Sequence, residues 1–130
     1  QKFFSEALEH GLEVFVPLGD YLPQDCLVMN TAGKIFKIQI KGTESKSKDK
    51  NRTGLGRYMV TTCRGSTGKA TIDCKKVDVL VAYVEELNTF YNSPCMELDG
   101  AKRIGLYPHN PESKAKHEVY KDNWKIFKVS

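Results

Sequence analysis

Residues 77 to 84 read Val-Asp-Val-Leu-Val-Ala-Tyr-Val, with Asp78 as the only charged position. Such a run is apolar enough for a strand buried on both faces, which belongs in the middle of a sheet with packing layers above and below it. Asp78 needs partners if it is buried. An edge or strand-end position with structural hydrogen bonds suits it better than a catalytic role.

The flanking sequence supplies the other elements. Phe3, Phe4, Ala7 and Leu8 recur at helical spacing in residues 2 to 10, and Gly11 stands where a helix stops. Leu12 to Val16 reads as a strand closed by Pro17, and a turn-rich stretch runs from Gly19 to Pro23. Arg57 to Cys63, Lys69 to Asp73 and Arg103 to Tyr107 are further extended segments, and Phe90 and Tyr91 follow a turn at Glu85 to Asn88. The tail carries Trp124 and Phe127 as apolar anchors, in a short helix or an irregular wrap. The expected architecture is therefore α/β, a mixed central sheet with an antiparallel hairpin and flanking helices.

That hairpin joins residues 25 to 30 and 34 to 41 through Thr31-Ala32-Gly33. If Asn30 faces Lys34, then Asp25 falls opposite Gln39. Alternation along Lys-Ile-Phe-Lys-Ile-Gln-Ile-Lys puts Lys37, Gln39 and Lys41 on one face and Phe36, Ile38 and Ile40 on the core face. An acid and a lysine on adjacent strands can hold a divalent metal and a water together, the minimal equipment for cutting a phosphodiester.

A chain of 130 residues with 40% hydrophobic content fits one compact domain, residues 1–130, with a single core. No apolar run approaches the roughly 18 to 20 residues that span a bilayer, and no signal-peptide pattern opens the chain. A soluble, cytoplasmic protein is expected. Gln1 is not an initiator methionine, so native residues are expected to precede it.

The net charge of +4 is unevenly spread. Residues 34 to 76 hold twelve Lys and Arg against Glu44, Asp49 and Asp73, while the remainder is net acidic. This partition suggests a polyanion-binding face, with Lys46, Lys48, Lys50, Arg52, Arg57, Arg64, Lys69, Lys75 and Lys76 as candidate phosphate contacts. Residues 42 to 56 are polar and charged and read as a mobile basic loop. Tyr58 could approach bases, although an aromatic in a strand more often packs in a core. Gly65 to Lys69 lacks the spacing of a phosphate-binding loop.

Cys26, Cys63, Cys74 and Cys95 are irregularly spaced, without a C-x-x-C pair or zinc-finger histidines, so reduced structural thiols are expected. His10, His109 and His117 stand apart from one another and from the polar strand, and none is assigned to catalysis.

Taken in order, Gly11, Pro17, Asp25 and Gln39-Ile40-Lys41 resemble the PD-(D/E)XK nuclease superfamily, in the branch with glutamine at the middle acidic position. The run 77 to 84 followed by Phe90-Tyr91-Asn92-Ser93-Pro94 is similar to the group I intron-associated homing endonucleases of that superfamily. The resemblance extends from the first helix to about Tyr107. It implies a restriction-endonuclease-like fold, duplex DNA as substrate, Mg2+ as the metal with Mn2+ as a substitute, and a homo-oligomer, dimer or tetramer. On it, Asp25, Gln39 and the Ile40 carbonyl would face the metal, and Lys41 would orient the attacking water. A glutamate of the first helix would complete the site, with Glu6 the best placed and Glu9 and Glu13 as alternatives. Gln39 brings no charge, so metal affinity should be lower than with Glu. A non-catalytic DNA-binding module that keeps the fold and a structure-selective junction resolvase are the alternatives.

Overall fold

A computed structural model describes residues 2–19, 24–43, 57–62, 71–98 and 100–129. Helix α1 spans Lys2–Glu9 and buries Phe3 and Ala7 on one face. It ends at Gly11, whose φ of +80 lies in the left-handed region that an L side chain rarely adopts. Seven strands follow: β1 Glu13–Phe15, β2 Cys26–Met29, β3 Ile35–Gly42, β4 Tyr58–Thr61, β5 Val79–Val84, β6 Thr89–Pro94 and β7 Arg103–Leu106.

Five strands form one mixed sheet in the order β1-β2-β3-β5-β6, while β4 and β7 pair separately. The β5 strand lies between a parallel β3 and an antiparallel β6, and every residue in it except Tyr83 is buried. That is the environment its composition demands. Asp78 stands just before β5, exposed, and Oδ2 accepts the Lys37 amide at 2.8 Å while its own amide donates to the Lys37 carbonyl. It is a strand-end carboxylate with a structural task.

Pairing of β2 with β3 follows the expected register, with Cys26 opposite Ile38 and Met29 opposite Ile35. Phe36, Ile38 and Ile40 therefore face one layer, where they meet Cys26, Val28, Val79 and Val81 beneath α1 and the C-terminal residues Trp124 and Phe127. Leu80, Ala82 and Val84 face the other layer, covered by Tyr58, Val60, Ile104 and Leu106 of the β4–β7 ribbon. Because Gln39 pairs with Leu80 and Lys41 with Ala82, both polar residues lie on the ribbon side of the sheet.

The hairpin turn is tied to the chain end by one side chain. Asn30 donates from Nδ2 to the carbonyls of Phe127 at 2.8 Å and Val129 at 2.5 Å, and its Oδ1 accepts the amides of Ala32 and Lys34. Both donor hydrogens and the carbonyl are thus used, within a buried residue. Asn30→Ala should cost about 2 to 3 kcal/mol, since it leaves backbone groups unpaired. Urea denaturation reads this directly, and an unchanged midpoint would show that the tail docks without it.

Several expectations are corrected. Ile72 and Asp73 are not in a strand, and residues 69 and 70 lie outside the described ones. The tail forms single 3-10 turns at Glu118–Tyr120 and Trp124–Phe127, and α1 is the one α-helix among the described residues, so the flanking layer is not helical throughout. Gly42 ends β3 rather than opening a loop, and Thr43 still donates to the Tyr83 carbonyl; residues 44–56 lie outside the described ones.

The thiol expectation fails at one pair. Cys74 and Cys95 form a disulfide with a Cα separation of 5.6 Å. Antiparallel pairing puts Val79 opposite Pro94, which brings the start of β5 and the end of β6 side by side. Spacing along the chain carries no trace of that meeting. Cys26 is a buried free thiol, as its apolar setting suggested.

Candidate active site

The site is built on the open end of the β2–β3 pair. Asp25 precedes β2, and its amide donates at 2.8 Å to the carbonyl of Ile38, the residue that Cys26 pairs with, one residue off the expected register that set Asp25 opposite Gln39. Its carboxylate Oδ2 accepts the Ile40 amide at 2.7 Å. That bond turns the side chain along the β3 edge, and the exposed residue keeps Oδ1 for another partner. Since a strand residue sends its N–H and C=O to the same side, the Ile40 carbonyl projects from the same edge.

Gln39 and Lys41 are half-buried and share the ribbon-facing side, about 7 Å apart by the rise of a strand. Lys37 continues the row and its Nζ donates to the Lys75 carbonyl at 2.8 Å. A carboxylate, an amide oxygen and a peptide carbonyl make an all-oxygen set, the kind that suits a hard divalent cation. Among the described residues no group of three His, Cys, Asp or Glu side chains forms. The donor set fits a metal with only one negative charge in it, which is the consequence of Gln39.

The neighbouring thiol does not join this set. Burial, and secondarily the Asp25 carboxylate, push the Cys26 thiol up to about 12, so it stays protonated.

Glu6 is half-buried on α1, Glu9 is exposed near its end and Glu13 is exposed at the start of β1. Of the candidate phosphate contacts, Arg57 is exposed before β4, and Lys75 and Lys76 are exposed in the turn before β5. Lys46, Lys48, Lys50, Arg52, Arg64 and Lys69 lie outside the described residues. Tyr58 belongs to the core, 1% exposed, with its hydroxyl donating to Glu86 at 2.8 Å. It is not placed to meet a base.

The histidines sit away from Asp25, Gln39 and Lys41 in the contacts they make. His10 stacks on Trp124 with ring centroids 4.4 Å apart, and His109 Nε2 lies 3.3 Å from the Tyr58 hydroxyl. Reading the chain alone also misses Arg103 and Lys116, which the fold brings to the same cleft as Arg57. The only local hint was the strand pattern of 103 to 106, in which Arg103 and Gly105 alternate with the apolar Ile104 and Leu106.

Asp25 before β2 and Gln39 and Lys41 on β3 are the residues that carry the resemblance to a nuclease. Residues 1–127 match the PD-(D/E)XK endonuclease family, and the chain belongs to it. Members of this family typically work with a divalent metal. Among solved structures, the bacterial homing endonuclease I-Ssp6803I is similar, with a TM-score of 0.82 and 27% identity over 98% of this chain and 87% of that one. The fold is accordingly restriction-endonuclease-like. No curated protein matches the sequence. No helix among the described residues is long and apolar enough to cross a membrane.

Proposed function

We propose that this single domain is a Mg2+-dependent endonuclease that hydrolyses phosphodiester bonds in duplex DNA, with the site specificity of a homing enzyme. Mn2+ is the expected substitute metal. The observation that supports the reading best is the bond from the Ile40 amide to Asp25 Oδ2, because it holds the one acid of the hairpin against the residue that lies between Gln39 and Lys41 in β3.

Asp25 Oδ1, the Gln39 amide oxygen and the Ile40 carbonyl are the groups that would hold the ion, with Glu6 as a fourth candidate. A bound ion would polarise a phosphate oxygen and lower the pKa of a water. Lys41 would hydrogen-bond that water, orient it in line with phosphorus and offset the charge that develops on the phosphate oxygens. Lys37, Lys75 and Lys76 extend positive charge along the same side and would carry the backbone on either side of the cut. One such site cuts one strand, so a double-strand break requires at least two copies related by a two-fold axis.

Purified protein should convert supercoiled plasmid carrying its target to linear DNA in magnesium, and a chelator should stop it. Gln39→Glu should lower the magnesium needed for half-maximal cleavage roughly tenfold, by adding a charged ligand. Absence of cleavage on any target, together with salt-sensitive DNA binding, would instead favour a non-catalytic module. The lack of a three-acid group among the described residues is the feature that makes that outcome worth testing. Cutting confined to four-way DNA would point to a resolvase.

A further inference from the structure

The β4–β7 ribbon turns Tyr58, Val60, Ile104 and Leu106 inward. Period-two alternation therefore sends Met59 of one strand, and Arg103 and Gly105 of the other, to the far side, with Met59 opposite Gly105. Gly105 leaves a dip between Met59 and the Tyr107 ring, each within 3.6 Å of where a side chain would begin. There a cleft of about 420 Å3 opens, bounded by Arg57 and Arg103 on the ribbon and by Lys116 and His117 on the following segment.

Its chemistry is cationic. Arg57, Arg103 and Lys116 are exposed at the rim, and no acidic side chain lines the cleft among the described residues. Glu118, from the same segment as Lys116, is occupied by the Tyr107 amide and the Tyr91 hydroxyl, both at 3.0 Å. His117 forms part of the wall, 8% exposed, with no hydrogen-bond partner at Nδ1. Burial, with Lys116 beside it and against the opposing pull of Glu97, holds its pKa below the usual value, so the wall is neutral and the charge is that of the rim.

Two further facts decide what such a rim would hold. A two-stranded ribbon has the width that a DNA major groove admits. The β4 strand also packs beside β3, which carries Lys41, so a duplex seated at the proposed cut would pass close to the ribbon. Phosphates positioned by Arg and Lys fix register on DNA without reading its sequence.

We propose that this cleft is a phosphate-backbone subsite for duplex DNA, in which Arg57, Arg103 and Lys116 grip phosphates away from the scissile bond while Met59 and Tyr107 face the groove. The proposal rests on the reading of the chain as a DNA endonuclease. Its test uses binding, which does not depend on cutting.

Anisotropy of a labelled duplex, without divalent metal, gives the slope of log affinity against log salt. The double variant Arg103→Ala/Lys116→Ala should reduce the magnitude of that slope by about 1.8, near 0.9 for each lost phosphate contact, with affinity lowered equally for unrelated sequences. Lys125→Ala/Lys128→Ala, on the C-terminal turn at the other sheet face, should leave it unchanged. An equal fall in both variants, or none in the first, would overturn the subsite. Inorganic phosphate shifting the amide signals of Arg57, Gly105 and Lys116 while duplex leaves them unmoved would overturn the duplex assignment. A protein that shows the expected slopes yet never cuts would overturn the nuclease reading and leave the cleft standing.

Discussion

Asp25→Ala and Lys41→Ala should each slow plasmid cleavage in magnesium by about 10² to 10³-fold or more, the loss that follows when one preorganised charge-stabilising group is removed. The two should differ in character. Asp25 is the only carboxylate in the proposed donor set apart from Glu6, so its loss should also raise the metal concentration the enzyme needs. Lys41 acts on the water and the phosphate, so its loss should lower the rate without that shift. Asp25→Asn separates charge from structure, because an amide oxygen can still accept the Ile40 amide that Oδ2 now accepts at 2.7 Å. It should keep the thermal stability of the parent and lose cleavage all the same. Conversion of supercoiled to nicked and linear DNA measures each rate. Undiminished cutting by both alanine variants would remove this edge from consideration.

Phe3→Ala should destabilise the fold by about 3 to 5 kcal/mol, the range for emptying a fully buried phenylalanine site. Phe3 is 0% exposed and its ring meets Trp124 at 5.5 Å, Phe90 at 5.9 Å and Phe4 at 6.5 Å. It therefore joins the first helix to β6 and to the C-terminal turn in a single aromatic cluster. An eight-residue helix does not persist on propensity alone, so its packing face is what keeps it formed. Loss of the anchor should lower Tm by roughly 10 to 20 °C and release α1, with Glu6 on it, before the sheet melts. Thermal denaturation followed by near-ultraviolet signals from Trp124 checks this, and a Tm within a few degrees of the parent would show that the helix is held elsewhere.

What could be read along the chain is local. A three-residue connection and strict alternation predict the register found from Cys26 opposite Ile38 to Met29 opposite Ile35 and the division of β3 into a polar and an apolar face, while at Asp25 the amide bonds to Ile38, one residue off the expected pairing with Gln39. The double burial of β5 was legible for the same reason, since an almost uninterrupted apolar strand has one tolerable place in a sheet. Asp78 was readable as a strand-end group because a lone carboxylate in such a run must find partners.

Tertiary structure alone decided the rest. The parallel pairing of β3 with β5 and the meeting of β4 with β7 join segments with long stretches of chain between them, and loop-closure entropy leaves no imprint on local composition. From those pairings follow the Cys74–Cys95 disulfide, the burial of Tyr58 and the side of the sheet on which Lys41 stands. The polyanion-binding face was sought in residues 34 to 76, where charge is dense along the chain. Folding brings Arg103 and Lys116, from the net-acidic remainder, to the cleft that Arg57 lines, because β4 pairs with β7 across a long stretch of chain.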